Sequence, residues 1–343
     1  MNQVSTIGLD LAKHIFQLHG ADSAGAVVFR QKLRRGQLLA FLATLPACTV
    51  ALEACGSAHD WGHEITKLGH TVRLIPPAYV KPFVKRHKND AVDAEAIGEA
   101  AQRPTMRFVA LKSEATQAAA VVLRTRDLLV CQRTQAINAL RGHLAEFGVI
   151  AAKGPVHTAK LIAALQDPAA ALPQAARGIL AVLVEELRSL DERLAVLDRE
   201  IARHAKEDET ARRLMTIPGL GAVTAAALRA LAPPAETVRR GRDFAAWLGL
   251  TPLQRSSGGK ERLGKTSKMG ERTLRRLLII GASAVARWAA RKGVPAGSWL
   301  GRMLARKPPM LVRVALANKT ARIVWALLAK GGVYRDHDAG PFG

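Results

Sequence analysis

Four acidic residues in the first third of the chain occupy positions at which carboxylates could act together. Asp10 ends the first predicted strand, Glu53 ends the fourth, and Asp90 and Asp93 lie three residues apart on one face of a predicted helix. Acids brought together repel one another, and Mg²⁺ relieves the repulsion because it prefers carboxylate and phosphate oxygens. The set predicts a magnesium site at which two ions about 4 Å apart orient a phosphodiester. Taken singly, each acid could be a surface charge, or an N-cap in the case of Asp90.

A second group of candidate residues lies in a loop rich in serine and glycine. Ser256 and Ser257 precede Gly258, and basic residues follow them closely. A serine hydroxyl among cations could attack a phosphate whose charge is already offset. An ordinary flexible loop has the same composition, and the residue types do not select one serine over the other.

The segment Ile217–Gly221 predicts a tight turn between two helices. Its proline and two glycines precede the apolar helix AVTAAALRAL, whose first N–H groups could meet a phosphate. This helix-hairpin-helix pattern is typical of sequence-independent binding to a nucleic-acid backbone, which assigns contacts to Gly219 and Gly221. A plain turn between helices would also use glycine here.

The last third of the chain carries a one-sided positive charge. The whole chain has 51 Lys and Arg against 28 Asp and Glu, a net charge of +23, while 49% of its residues are hydrophobic. Between Arg255 and Lys330 the only acidic residues are Glu261 and Glu271. Solvent-exposed surfaces normally carry both positive and negative side chains, so this excess of positive charge indicates a folded protein that binds polyanions. We expect phosphate contacts from Lys260, Arg262, Lys265, Lys268, Arg275 and Arg276.

The elements that must position the acids are predicted from residues 4–75. Short apolar runs indicate three strands, a helix, a strand, a helix and a strand. Turn signals at Gly20 and Asp22–Gly25 make the first three strands an antiparallel meander, and helical crossovers make the later strands parallel. This mixed order predicts a ribonuclease-H-like α/β domain, with a generic doubly wound sheet as the alternative.

The rest of the chain is predicted to be all-α. Leu123, Val130, Ile137 and Leu144 recur every seven residues, and a second leucine series ends at Ile201. This pattern indicates either a dimerising coiled coil or two helices packed within one chain. No strand alternation is convincing after residue 211. We therefore divide the chain into residues 1–110, a helical coiled-coil region at 111–208, and a helical domain at 209–343.

Other classes of protein fit the composition poorly. The three cysteines contain no CxxC pair and do not make a disulfide framework. The first residues lack the basic segment of a signal peptide, and no apolar run approaches the roughly 18 residues of a membrane span, so we expect a cytoplasmic protein without a membrane. Two tyrosines make tyrosine recombination a poor fit, and 4% aromatic residues disfavour a base-stacking platform for single strands.

Across nearly its whole length the chain resembles the DEDD transposases of bacterial insertion-sequence family 110. The resemblance rests on motifs in matching order and spacing: GLDLAKHIF, ALEACGS, KNDAVDA from Lys88 to Ala94, IPGLG, FAAWLGLTP and SSGGKERLGKTSKMGERTLRR.

The resemblance implies a RuvC-like N-terminal domain whose acidic tetrad is Asp10, Glu53, Asp90 and Asp93. It implies a C-terminal transposase domain with a nucleophilic serine, placed at Ser257 because that residue directly precedes Gly258. It also implies a structured bridge RNA that pairs with donor and target DNA duplexes, and a homodimer that assembles into a homotetramer with its active site shared between subunits. Such a protein would work in the bacterial cytoplasm, on the nucleoid.

Two other functions stay open on the sequence alone. A metal-dependent, structure-specific endonuclease resembling a Holliday-junction resolvase would need the four acids but would use water in place of Ser257. A noncatalytic binder of DNA or RNA would need only the basic third and the helical hairpin, and mutation of Asp10 would leave its function intact.

Overall fold

The computed structural model describes residues 3–85, 89–295 and 297–335, so Met1 and Lys88, which belong to segments discussed above, lie outside this range. The chain forms two compact units, Met1–Ser113 and Glu114–Gly343. The separation of a helical region at 111–208 from a domain at 209–343 stays a prediction.

The first unit is built on a five-stranded mixed sheet. Its strands are β1 (Thr6–Asp10), β2 (Ile15–Ala21), β3 (Val27–Arg34), β4 (Thr49–Glu53) and β5 (Thr71–Ile75). Its helices are α1 (Leu38–Ala43), α2 (Ala58–Lys67), α3 (Pro77–Val80) and α4 (Asp90–Ala101).

The strand order is β3-β2-β1-β4-β5. The pairs β1–β2 and β2–β3 are antiparallel, whereas β1–β4 and β4–β5 are parallel. The predicted sequence of elements is confirmed, and the mixed sheet is compatible with the ribonuclease-H-like topology. The antiparallel meander β1–β3 does not fit the doubly wound alternative, whose sheet is mostly parallel.

Helix α4 packs directly on β1 because Gly8 has no side chain. A Cβ added to Gly8 would lie 2.1 Å from the carbonyl oxygen of Ala94 and 2.5 Å from the backbone nitrogen of Gly98. Such distances leave no room for a side chain at residue 8. The middle of β1 and the middle of α4 are therefore in backbone contact.

The second unit is mainly helical. Its helices are α5 (Glu114–Ala145), α6 (Thr158–Gln166), α7 (Gln174–Glu207), α8 (Glu209–Met215), α9 (Ala222–Leu231), α10 (Gly241–Trp247), α11 (Arg272–Lys292), α12 (Trp299–Arg306) and α13 (Pro309–Lys330). None of the helices in the described part of the chain is long and apolar enough to cross a bilayer.

Helices α5 and α7 pack against each other within the chain in antiparallel register. Arg126 pairs with Asp198 at 2.5 Å and Arg133 pairs with Asp191 at 2.9 Å, so seven residues along one helix match seven back along the other. The buried residues of the pair include several of the predicted leucines. This contact is the one expected if the two helices pack within one chain. Assembly with a second chain stays a prediction.

The expectation that no strand occurs in the last third is wrong. Strands β6 (Pro252–Gln254) and β7 (Leu263–Thr266) form an antiparallel hairpin between α10 and α11. Both strands are short and mostly exposed, so they carry no alternation of buried and polar residues. The hairpin contains the serine and glycine residues that were predicted to form a loop.

Candidate active site and nucleic-acid interface

The first two predicted acids lie at neighbouring strand ends. Leu9 of β1 pairs with Leu52 of β4 in parallel register, so the next residues, Asp10 and Glu53, lie at the same end of the sheet. We call this end, where β1 and β4 finish, the acidic edge. Both are partly buried. Burial raises the pKa of the nearby Cys55 thiol, and the negative charges of Glu53 and Asp10 raise it further.

The other two acids lie in the first turn of α4. The cap of this helix is Asn89, whose side chain accepts a hydrogen bond from the Val92 N–H at 2.9 Å, so the alternative role of Asp90 as N-cap is wrong. At the other end of the helix, the Gln102 side chain lies next to Gly25, in the turn after β2. Since β2 ends opposite the start of β1, α4 runs antiparallel to β1. Its first turn therefore points toward the sheet edge that carries Asp10.

The acidic edge fits a divalent cation in the chemistry of its donors, which are hard carboxylate oxygens. The four carboxylates do not form a metal-binding cluster in this structure. Among residues 3–85, 89–295 and 297–335, no three His, Cys, Asp or Glu side chains are arranged to hold a metal ion. Two acids share a strand edge and two lie on the helix that approaches it. The structure thus places all four acids toward one end of the first unit, but their side chains are not in contact as a single group.

Ser257 lies at the tip of the β6–β7 hairpin. The Lys260 N–H donates to the Ser257 carbonyl at 3.1 Å, and the two residues between them, Gly258 and Gly259, have φ angles of 56° and 74°. Positive φ at both central positions is the requirement of a type I′ turn, which matches the twist of a hairpin. The glycines predicted only for flexibility therefore build a defined turn that begins at Ser257.

The two serines have different surroundings. The Ser256 hydroxyl accepts a hydrogen bond from the Arg262 N–H at 3.1 Å and lies 3.4 Å from the Gln254 amide nitrogen, so it ties the two arms of the hairpin together. Within the part of the chain that the structure describes, the hydroxyl of Ser257 makes no hydrogen bond. Ser257 is exposed, and its hydroxyl is available to a ligand.

Two glycines fix the base of the hairpin. A Cβ on Gly249 would lie 2.2 Å from the Met269 carbonyl oxygen, and one on Gly270 would lie 1.7 Å from that of Trp247. Both glycines have positive φ, at 69° and 73°. The Arg275 guanidinium donates to the carbonyls of Leu248 and Met269 at 3.0 and 2.7 Å. At the base of the hairpin, the backbone at Gly249 and Gly270 is therefore in close contact with the backbone at Met269 and Trp247.

The predicted cationic residues divide into exposed and engaged groups. Lys260, Arg262, Lys265 and Lys268 are exposed on or beside the hairpin. Arg275 holds the hairpin base, and Arg276 forms an ion pair with Asp127 of α5. Asp127 also accepts from the Thr273 hydroxyl at 3.0 Å. No signal in the sequence indicated Asp127, because its partners lie more than 140 residues away. Contacts of Arg275 and Arg276 with nucleic acid stay predictions.

The Ile217–Gly221 segment connects α8 and α9 as expected for a turn between helices. Gly219 has a φ of 85°, and its Cβ would meet the Gly281 carbonyl of α11 at 2.7 Å, so packing and conformation both require glycine there. Gly221 is the N-cap of α9, and a Cβ there would meet nothing within 4 Å. Of the two glycines, Gly221 is the one that leaves the start of α9 open.

Comparison with known proteins identifies the chain. Residues 211–293 match the profile described as Transposase IS116/IS110/IS902 family, and residues 7–148 match the profile of the DEDD transposases of IS110. A probable family 20 transposase of Pseudomonas aeruginosa is 49% identical over 97% of this chain and 99% of its own length. The transposases of insertion sequences IS1328 from Yersinia enterocolitica and IS1111A from Coxiella burnetii are 40% and 39% identical, covering 97% and 98% of this chain and 99% and 92% of their own lengths.

These matches cover both units of the chain, including the acidic sheet edge and the serine hairpin. The protein is accordingly a DNA transposase, an enzyme that moves DNA by breaking and joining phosphodiesters. Within that class, it belongs to the IS110 family of DEDD transposases.

Proposed function

We propose that this transposase exchanges DNA strands through a covalent link between Ser257 and DNA. The Ser257 Oγ attacks a phosphorus atom, an Oγ–P bond forms, and the bond from phosphorus to one deoxyribose oxygen breaks. The serine proton ends on that departing oxygen. Because one phosphate ester replaces another, the bond energy is kept for rejoining to a second strand.

The observation that carries the proposal is the contrast between the two neighbouring hydroxyls. Ser256 binds the Arg262 N–H and holds the hairpin, while Ser257 stands at the start of the turn with an exposed hydroxyl. Exposed cations on the same hairpin, among them Lys260 and Lys265, can offset the charge of a phosphate bound at the tip.

The carboxylates of Asp10, Glu53, Asp90 and Asp93 would hold divalent metal, in keeping with the metal dependence of DEDD transposases. A bound Mg²⁺ ion supplies Lewis-acid polarisation of phosphate oxygens. The residues themselves position the substrate: α4 brings its first turn to the strand edge, and the backbone contact at Gly8 fixes that approach.

The guide RNA and the assembly of chains rest on the family resemblance, and the phosphate contact at Gly221 rests on the helix-hairpin-helix pattern. A structured guide RNA pairs with donor and target duplexes, and the start of α9 at Gly221 binds a phosphate of the nucleic-acid backbone. Two chains form a homodimer and two dimers form a homotetramer, in the cytoplasm of a bacterium and on its nucleoid.

The test is denaturing electrophoresis of the full-length protein with Mg²⁺, a matching guide RNA and end-labelled donor and target duplexes. We expect a protein–DNA adduct that survives denaturant, requires the guide RNA, and is lost in Ser257→Ala. The matched variant Ser256→Ala keeps the adduct at a reduced level, since it loses only hydrogen bonds within the hairpin. Asp10→Asn loses the adduct, whereas Glu186→Gln, at an exposed acid of α7, keeps it.

Three results would contradict the proposal. Cleavage without an adduct, unchanged in Ser257→Ala, assigns the protein to the metal-dependent endonucleases that use water. Binding without cleavage in the parent and in Asp10→Asn alike assigns it to noncatalytic binders. An adduct that persists without guide RNA removes the RNA from the mechanism.

A further inference from the structure

A cavity in the first unit, open to solvent, is lined by two aromatic and two basic side chains. It has a volume of about 400 Å³, within the range of small-molecule sites. Its walls come from α3 and the turn after it and from the segment after α4. The lining residues that matter here are Tyr79, Phe83, Arg103, Thr105, Met106 and Arg107.

Two aromatic rings give this cavity faces on which a base can stack. Phe83 is half-buried and packs with Met106 against the core around Ile75, which holds its ring in place. Tyr79 is 43% exposed, so its ring is available to a ligand. Every base has an aromatic face, and stacking on such rings is insensitive to base identity. The low aromatic content argued against an extended platform, but a pocket for one base needs only these two rings.

The two arginines of the cavity have different surroundings. The Arg103 guanidinium carbon lies 5.6 Å from the Phe83 ring centroid, and its Nη2 pairs with Glu99 at 2.6 Å, so this side chain already has partners within the first unit. Arg107 is exposed and forms no ion pair with any residue that the structure describes. Its guanidinium can bind a phosphate through parallel hydrogen bonds.

The two walls of the cavity come from different ends of the first unit. Glu53 pairs in register with Ile75, the last residue of β5, and α3, which contains Tyr79, begins two residues later at Pro77. The other wall, residues 103–107, follows the C-terminal end of α4, which is the end of that helix away from Asp10. The cavity is therefore a site separate from the predicted catalytic acids.

We propose that the cavity binds one unpaired nucleotide, with its base between Tyr79 and Phe83 and its phosphate on Arg107. This inference rests on the proposed function, in which DNA duplexes are opened and an RNA is bound. It adds a site for the unpaired segments that such opening creates. DNA and RNA share the recognised chemistry, a base with an adjoining phosphate, and the experiment separates the two sources.

The experiment is photo-crosslinking with a ten-nucleotide single strand that carries one 5-iodouracil, in DNA and RNA versions, and with the matching duplexes. It uses full-length Ser257→Ala protein without divalent metal, so failure of the strand-exchange chemistry cannot affect it. We expect adducts on the peptide containing Tyr79 or Phe83, at least fivefold stronger for a single strand than for a duplex. Stronger labelling by RNA or by DNA identifies the source. Adducts confined to the second unit would overturn the proposal.

Affinity measurements with the same unmodified strands give an independent test. Tyr79→Ala should weaken single-strand binding about five- to tenfold and change duplex binding less than twofold, because stacking is lost only for an unpaired base. Tyr79→Phe keeps the ring and should bind as the parent does. Arg107→Ala should weaken single-strand binding several-fold, whereas Arg193→Ala, an exposed arginine of α7, should not. Equal losses for single strand and duplex, or none, would refute the site.

Discussion

The backbones of Gly8 and Gly98 are in contact, with the position of a Gly8 Cβ only 2.5 Å from the Gly98 nitrogen. The contact is not symmetric. A Cβ on Gly98 would lie 3.4 Å from the Gly8 nitrogen and 3.6 Å from the His19 ring, which are ordinary contact distances. The strand glycine is therefore the residue that sets how closely α4, with Asp90 and Asp93 in its first turn, approaches β1.

The two glycines should respond differently to alanine. Gly8→Ala forces α4 away from the sheet and should cost about 3 kcal/mol of unfolding free energy, the upper part of the range for an overpacked core. Gly98→Ala gains helix propensity and should stay within about 1 kcal/mol of the parent. Urea unfolding of both variants checks this. Equal stabilities would contradict the close contact, and loss of adduct formation only in Gly8→Ala would connect the contact to the acids.

The free energy of unfolding should decrease at acidic pH because of His19, which packs against α4. His19 is 6% exposed, and within the described residues its Nδ1 has no hydrogen-bond partner. Burial lowers the pKa of His19, against an opposing effect of Glu95 and with smaller lowering by Arg30 and Lys85. The unfolded chain then binds the proton more tightly, so stability is complete above the ordinary histidine pKa and declines as the pH falls through it. His19→Gln should show a smaller loss of urea midpoint between pH 7.5 and 5.5. An unchanged loss would contradict this.

The base of the serine hairpin should be more sensitive to substitution than its tip. Gly270→Ala places a Cβ 1.7 Å from the Trp247 carbonyl oxygen, and we expect a loss of 3 kcal/mol or more, roughly, with loss of adduct formation. Gly258→Ala meets no atom within 4 Å and costs only about 1–2 kcal/mol for its positive φ. Thermal unfolding of the two variants tests the difference, and a reversed order would show that the crossing at the base is not rigid.

Binding to duplex DNA should become less dependent on salt when a hairpin cation is removed. If Lys265 contacts one phosphate, Lys265→Ala should lower the slope of log binding constant against log salt by about 0.9. Lys160→Ala, at an exposed lysine of α6, provides the matched control and should leave the slope unchanged. The same slope in all three proteins would place the hairpin outside the DNA interface.

The homodimer proposed above should depend on apolar residues that the α5–α7 pair leaves exposed. Leu128 of α5 is 57% exposed and Val196 of α7 is 55% exposed, and the antiparallel register puts them at the same level. Leu128→Glu should therefore reduce the sedimentation coefficient toward that of a single chain. Ile150→Glu, at an apolar residue that is 86% exposed outside both helices, should not. An unchanged coefficient for Leu128→Glu would exclude this surface from the assembly.

Periodicity made most of the fold predictable. The strands of the first unit and the helix beginning at Asp90 follow the expected order, because burial on one or two faces leaves a pattern in the sequence. The β6–β7 hairpin was missed for the opposite reason. It buries almost nothing, and the twist of its turn comes from Gly258 and Gly259, which are equally common in loops.

The candidate site was predictable in residue types but not in contacts. The division of labour between Ser256 and Ser257 depends on a hydrogen bond to the Arg262 N–H, which exists only once the two strands pair. The engagement of Arg276 by Asp127 depends in the same way on the packing of α11 against α5. Long-range contacts of this kind leave no local pattern.

The antiparallel helical pair has a consequence for the spacing of the chain. Leu123 and Ile201 belong to the core shared with α8–α11 and α13, whereas Leu144 and Leu180 pack with α6 at the far end. Since α5 leaves that core and α7 returns to it, the two helices form an arm that has a separate core at its far end. Deleting seven residues from each helix would shorten the arm by about 10 Å and leave the core at its root in register.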